Sequence, residues 1–461
     1  MKPLIGRWLV IVLLALGSYG QAAAQQPDPE GGLGRIETLD LKTAARIALD
    51  ENPSLAAAQA RIEQAREIVQ QARSAYWPRL DANASGSRVD LAENNSQLQF
   101  QRVFPGLGID NPENYYNAGL SASWLLFDGF ARKFRLAQAR YGENLSAAAR
   151  TEAQRLLLSA VAAAFLQAQQ SFENINIAQA DLAFNNRLLE EARLRHKVGT
   201  GTLSDMLNFQ IRANSAQALR IQAEQNFETA LVSLAALLGL PDSRLPPRMR
   251  LAALSPAAPH ELNPPEPQDL LETAYRLRPD LEVDNWTIRQ AQADIRIAEA
   301  ELYYPSLSLN GTYEAERPED PGLTADDFGN TISLRLSYNL FAGGFYRSRR
   351  QAARARLRET ERDLESTRLD VASEVNRSIV QILSAQEQLL LQQSNTQLVA
   401  QNRDLVEKEY KAGVGSLVRL NEAQRDLIAQ QVQLAGARVS LRQAWYDLRA
   451  STGEIVRIFT P

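Results

Sequence analysis

Two Gly-rich turns constrain this chain more than anything else in it: Val198-Gly199-Thr200-Gly201-Thr202-Leu203 and Ala412-Gly413-Val414-Gly415-Ser416-Leu417. Each separates a very long helical stretch from a shorter one. From about Phe130 to Lys197 the only helix breaker is Gly142, and from about Phe345 to Lys411 there is neither Gly nor Pro. The turns lie 413 − 199 = 214 residues apart. Leu125-Leu126-Phe127-Asp128-Gly129 and Asn339-Leu340-Phe341-Ala342-Gly343 share that spacing, since 341 − 127 = 214. Two unrelated landmarks with one offset mark a tandem duplication, and an internal repeat decides architecture before any local propensity does.

The same order of elements recurs in each repeat. A short helix (Leu41 to Glu51; Gln268 to Leu277) ends at an x-Pro step, Asn52-Pro53 or Arg278-Pro279. A second helix of about six turns runs to Tyr76-Trp77-Pro78 and to Tyr303-Tyr304-Pro305, where Pro cannot continue it and biases its predecessor toward extended backbone. The period then changes from 3.6 to two. Tyr116, Ala118, Leu120, Ala122, Trp124 and Leu126 alternate with Asn117, Gly119, Ser121 and Ser123, with Leu125 the exception. Ile332, Leu334, Leu336, Tyr338 and Leu340 alternate with Ser333, Arg335, Ser337 and Asn339. Weaker alternation precedes both, from Leu80 and from Leu307. Each repeat therefore holds two strands of about ten residues joined by a polar loop, Ala92 to Asn114 or Pro318 to Asn330.

Ten residues is about what a tilted strand needs to cross a bilayer, and apolar-out, polar-in alternation is the mark of a membrane barrel. A soluble sandwich uses the same alternation. Tyr116, Trp124, Phe127, Tyr338 and Phe341 cluster toward strand ends, as an interfacial aromatic belt would. Four strands cannot close a barrel, and a membrane sheet tolerates no open edge. Spanning strands therefore require several chains in one barrel.

The long helices carry heptads in phase across the repeat: Val161, Ala168, Ile175, Leu182 and Leu189, then Val375, Ile382 and Leu389, fading at Thr396 and Arg403. That period implies left-handed supercoiling against neighbours. About 67 residues at 1.5 Å each is roughly 100 Å. Residues 1–24 read as a signal peptide: Lys2 and Arg7, then the apolar stretch Trp8 to Leu16, then Ala22-Ala23-Ala24. The apolar stretch is too short to span hydrocarbon. The first repeat is set at 25–250 and the second at 251–461, the Pro-rich segment Leu240 to Pro267 being their junction.

Composition excludes other classes. No Cys and two His leave nothing for disulfides, thiolate metal sites or zinc chemistry. A formal net charge of −4 carries no basic footprint for nucleic acid. The glycines make no phosphate loop and no nucleophile elbow. His196 continues the heptad phase of Leu189, and His260 has no partner in register. The expectation is no enzyme, no cofactor and no metal.

The ordered set of landmarks resembles the TolC family of outer-membrane efflux proteins from about Ile36 to Thr452. It is carried by Pro53 and Pro279, Trp77-Pro78 and Tyr304-Pro305, Leu126 to Gly129 and Leu340 to Gly344, His196 to Gly199 and Tyr410 to Gly413. The resemblance implies a mainly α chain with a β-barrel part. Three copies would make a twelve-stranded barrel in the outer membrane and an α-helical tunnel across the periplasm. Its partners would be a periplasmic adaptor and an inner-membrane pump, in efflux or type I secretion. It also implies a gate near the turns, in which Asp205 matches an aspartate, Tyr410 a tyrosine, and Arg419 and Glu422 an acidic pair. Glu422 keeps the charge and Arg419 does not, so Asp205 and Arg419 are expected to pair off instead. Gly415 stands where some members carry an arginine. The competing reading is a periplasmic coiled-coil adaptor or rod without a pore.

Overall fold

The computed structural model describes residues 37–92, 112–318 and 322–460, with isolated positions between 92 and 112. The signal-peptide assignment, most of the Ala92 to Asn114 loop and residues 319–321 lie outside the described residues.

A parallel pair, β1 (Thr38–Leu39) with β4 (Arg250–Leu251), joins the start of the chain to the junction segment. The first repeat supplies α1 (Leu41–Glu51), α2 (Pro53–Ser74), β2 (Arg79–Val89), β3 (Glu113–Phe127), α3 (Ala131–Lys197) and α4 (Leu203–Leu237). The second supplies α5 (Pro267–Leu277), α6 (Pro279–Tyr303), β5 (Ser306–Pro318), β6 (Phe328–Ser337), α7 (Phe345–Lys411) and α8 (Leu417–Ser451), and α9 (Glu454–Phe459) ends the chain. Helices α3 and α7 each have 67 residues and α4 and α8 each have 35. All four start and stop at the 214-residue offset. The helices before the sheet are offset differently, by 279 − 53 = 226. The 12 extra residues fall in the β2–β3 connection, so an insertion there leaves the frame of the helices untouched.

The strands form one antiparallel sheet in the order β2-β3-β5-β6. Each strand continues a helix, so α2, α3, α6 and α7 stand side by side beneath it in the same order, α3 packing on α2 and α6, and α6 on α7. Below the ends of α2 and α6 their places are taken by α4 against α3 and α8 against α7, and α8 also packs on α3. The chain is thus a wall of four columns, strand above and helices below.

The core of this wall is a set of inter-helix seams. Val161, Ala168 and Ile175 are buried, and so are Val375, Ile382 and Leu389 at +214, which bears out the heptads where they were strongest. One seam joins Ile47, Val161, Phe165, Leu234 and Leu238; its counterpart joins Leu281, Val371, Val375, Ile379, Ile382 and Leu448. In α4 the buried positions Ala216, Ala223 and Ala230 recur every seven residues, letting the helix approach α3 closely.

Strand passes to helix through left-handed backbone at Gly129 (φ 64°) and Phe130 (φ 69°). A Cβ on Gly129 would lie 2.5 Å from Tyr304 Cβ, so only glycine fits. At the matching positions the second repeat uses Gly343 and Gly344. Phe130 accepts that conformation while its ring packs edge-on against Phe127 at 5.5 Å and Tyr304 at 6.5 Å. Asp128 then accepts from the Arg132 amide at 2.8 Å. The Arg132 guanidinium donates to the carbonyls of Leu125, Leu126 and Ala75, tying α2, β3 and α3 together.

Candidate pore wall and tip gate

Register sorts the strand side chains onto two faces. Leu80, Ala122, Gly311 and Ile332 form one row across all four strands, and Trp124, Leu309 and Leu334 form another. The opposite face carries Asp81, Ser121, Thr312 and Thr331, then Ser123, Asn310 and Ser333. The alternation therefore holds across strands as well as along them. Leu125 does sit on the polar face, opposite Ser308. A bulge between Leu125 and Phe127 follows, and it returns Phe127 to the apolar face beside Leu307. Among the described residues, β2 and β6 each have an unpaired edge.

The apolar face is open to the surroundings: Ile332 is 80% exposed and Leu80 is 78%. Of the expected belt, Tyr116 lies toward the loop end of β3, opposite Gly86 and Arg317. Trp124 and Phe127 lie at the helix end, where the Trp124 indole donates to the Tyr76 carbonyl at 3.1 Å. Tyr338 and Phe341 fall just past β6, and Phe341 is 87% exposed. Leu340 and Trp77, 90% and 76% exposed, complete a girdle at the same level.

At the far end both turns are built alike. Gly199 (φ 78°) and Gly413 (φ 80°) provide left-handed helix ends. Thr200 N–H donates to the Arg195 carbonyl and Val414 N–H to the Glu409 carbonyl, closing Schellman motifs. Gly201 and Gly415 are needed for approach: a Cβ would lie 2.9 Å from Arg195 Cβ or 2.8 Å from the Tyr410 amide nitrogen. Gly415 is thereby a requirement of the turn, with no room there for an arginine. Thr202 then caps α4 by accepting from the Asp205 amide, and Ser416 caps α8 by accepting from the Arg419 amide.

The two tips pack on each other. Tyr410 of the second hairpin meets Phe209 of the first edge-on at 6.2 Å, and the Arg195 guanidinium stands 5.9 Å from its ring centre. Burial and then the nearby Asp205 carboxylate push the Tyr410 hydroxyl above its ordinary range, Arg195 opposing and Glu191 adding to the rise. Asp205 and Tyr410 are thus brought within electrostatic reach in one chain, although no hydrogen bond joins them among the described residues. Arg419 pairs with Glu409 of its own hairpin at 3.3 Å and not with Asp205. Its charge lies at the positive end of the α8 dipole, an unfavourable place that the Glu409 carboxylate offsets. Glu422 is exposed and has no ion-pair partner among the described residues. His196 lies at the tip surface, its Nδ1 3.3 Å from the Gly201 carbonyl.

Sequence reasoning missed two polar clusters above the tips, because both join helices whose pairing no local pattern reveals. Glu407 accepts from Arg187 across the hairpins at 2.8 Å and from Arg403 and Lys411 on its own helix. Burial works against its carboxylate, but the Lys411 hydrogen bond and the three cations outweigh it and hold the group below its ordinary value. Higher up, buried Asp181 of α3 accepts from Gln424 of α8 at 2.8 Å and from Asn185 at 3.0 Å. Burial raises this carboxyl, against those hydrogen bonds and the charge of Arg212.

A two-faced sheet with open edges, standing on helices long enough to cross a wide compartment, is one segment of a membrane channel wall. The chain belongs to the outer membrane efflux protein family, whose model matches residues 44–240 and 270–454. It is 27% identical over 426 residues to protein CyaE of Bordetella pertussis, covering 92% of this chain and 86% of that one. It is 29% identical over 423 residues to the pyoverdine export outer membrane protein OpmQ of Pseudomonas aeruginosa, covering 90% and 84%. Among solved structures, the Vibrio cholerae outer membrane protein VceC superposes with a TM-score of 0.72 at 19% identity, over 90% of this chain and 96% of that one. The Campylobacter jejuni CmeC outer membrane channel gives 0.75 at 18%, over 90% and 85%. The protein is an outer-membrane efflux channel component of this fold, and the break in the family match between 240 and 270 falls at the Pro-rich junction.

Proposed function

We propose that three copies of this chain assemble into one duct, twelve strands closing a barrel in the outer membrane and the long helices continuing it through the periplasm. The observation that carries this reading is the pair of unpaired edges on β2 and β6, on a sheet whose one face is apolar and exposed. Unsatisfied strand edges are excluded from hydrocarbon, so β6 of one copy must pair with β2 of the next. The duct conducts passively, with no chemistry of its own, and takes its cargo from an inner-membrane pump through a periplasmic adaptor. OpmQ is a pyoverdine export protein by name, and export through such a duct suits the same architecture. Residues 1–24 direct export, and 25–250 and 251–461 are the two repeats of one intertwined domain. The gate is the tip cluster of Asp205 and Tyr410 with Arg419 and Glu422 beside it, hinged on Gly199, Gly201, Gly413 and Gly415. Extraction in mild detergent followed by mass measurement is expected to give three chains. A stable monomer would overturn the shared barrel.

A further inference from the structure

Helices α3 and α7 begin directly beneath the apolar girdle, and their first turns break a local rule. Neither has an acidic residue in its first turn, where the helix dipole favours one. Helix α7 carries Arg347, Arg349, Arg350, Arg354, Arg356 and Arg358 before its first carboxylate, Glu359. The pattern is duplicated: Lys133, Arg135 and Arg140 of α3 stand 214 residues before Arg347, Arg349 and Arg354.

These cations fall into two stripes. Arg349 pairs with Glu301, which also takes Arg135 at 2.9 Å, and Arg356 lies 3.8 Å from Asp294. Arg135, Glu301 and Arg349 line one cleft with Leu125, Ser306 and Ser337, so this stripe continues the polar face of the sheet. At 100° per residue, Lys133 and Arg140 stand about 150° round α3 from Arg135. Arg347, Arg354 and Arg358 stand similarly far round α7 from Arg349 and Arg356. That is the side continuous with the apolar face. There Arg350 lies over and donates to Tyr303, and Arg354 reaches Glu299 at 3.4 Å. Lys133, Arg140, Arg347 and Arg358 are exposed and have no ion-pair partner among the described residues.

We infer that this outward stripe is a binding surface for the anionic phosphate headgroups of phospholipids in the periplasmic leaflet, resting on the reading that the sheet spans the membrane. Lys133 and Arg347 are two residues into their helices, about 3 Å below the girdle. Helix side chains lean toward the N-terminus, which here is toward the membrane. Long basic side chains keep their stems on apolar surface and their charges in the headgroup layer. Three copies repeat the stripe six times round the duct and fix its depth, while the inward stripe is neutralised by Glu301 and Asp294.

The test uses the full-length assembly reconstituted in nanodiscs of equal phosphatidylglycerol and phosphatidylcholine, with retained lipids counted by native mass spectrometry. Phosphatidylglycerol should be retained preferentially, less so as salt rises. Lys133→Gln with Arg347→Gln should cut the preference by roughly fivefold for each charge removed. Arg362→Gln, on the same helix but about 26 Å below its start, should leave it unchanged. Equal retention of both lipids by the native protein, a preference indifferent to salt, or equal losses in the double variant and at Arg362 would each overturn the inference. So would a double variant that keeps its lipid preference and loses only its crosslink to an adaptor. If the double variant does not assemble, the salt response of the native protein decides. A mass other than three chains would instead sink the shared barrel.

Discussion

Among single residues, the proposed gate turns on Tyr410. Its ring is held between Phe209 and Arg195 of the other hairpin, and burial with the Asp205 charge keeps its hydroxyl protonated and able to donate. A hydrogen bond to a carboxylate is worth about 1.5–3 kcal/mol. In the proposed three-copy duct, closure would bring the Tyr410 hydroxyl onto Asp205, and losing three such bonds should shift the closed-to-open ratio by roughly three orders of magnitude or more. Asp205→Ala with Tyr410→Phe is expected to raise single-channel conductance in planar bilayers and admit large antibiotics to cells. Wild-type conductance would move the gate to Arg419, Glu409 and Glu422. Asp181 supplies a pH prediction. Burial raises its carboxyl in the fold, so the folded chain holds the proton more tightly than the unfolded one. Stability from this group is therefore greatest below the ordinary carboxylate value and falls as pH rises through the raised one. Asp181→Asn, still able to accept from Gln424, should melt higher than wild type at pH 7, and the gap should close on acidification. A gap that widens in acid would contradict the assignment.

At the scale of elements, the strands allow the most direct check. Leu120, Leu334 and Leu336 lie on the apolar face and Ser121, Ser333 and Arg335 on the polar one. Single Cys substitutions should label in alternation, the first set with lipid-soluble reagents and the second with water-soluble ones. Equal labelling from water would remove the sheet from the membrane. The bulge at Leu126 shows why the exception at Leu125 was visible in sequence while its remedy was not. Periodicity marks a residue out of phase, but only pairing with β5 decides that the strand gains one residue and restores Phe127 to the apolar side. Helix limits were legible nearly to the residue because breakers and caps are local: Pro53, Pro279, Thr202 and Ser416 act within one turn of themselves.

For the whole molecule, the two repeats differ most where the strands connect. The β2–β3 connection spans 90–112 and the β5–β6 connection 319–327, and both leave the sheet at the end away from the helices. Epitope tags in either should be detected on intact cells, and detection only after permeabilisation would reverse the topology. The sequence by itself determined the duplication, the 67-residue helices, the two-faced strands and the glycine turns, since each rests on spacing or on backbone chemistry within a few residues. It also contained Asp205, Tyr410 and Arg419 as candidates. Which charges meet was decided only in three dimensions. Arg419 turns to Glu409 and not to Asp205, Glu407 gathers three cations, and Asp181 bridges α3 to α8. Arg187 with Glu407 and Asp181 with Gln424 depend on the rotation and relative height of helices more than two hundred residues apart in sequence. Inter-helix packing sets both, and no local period encodes them.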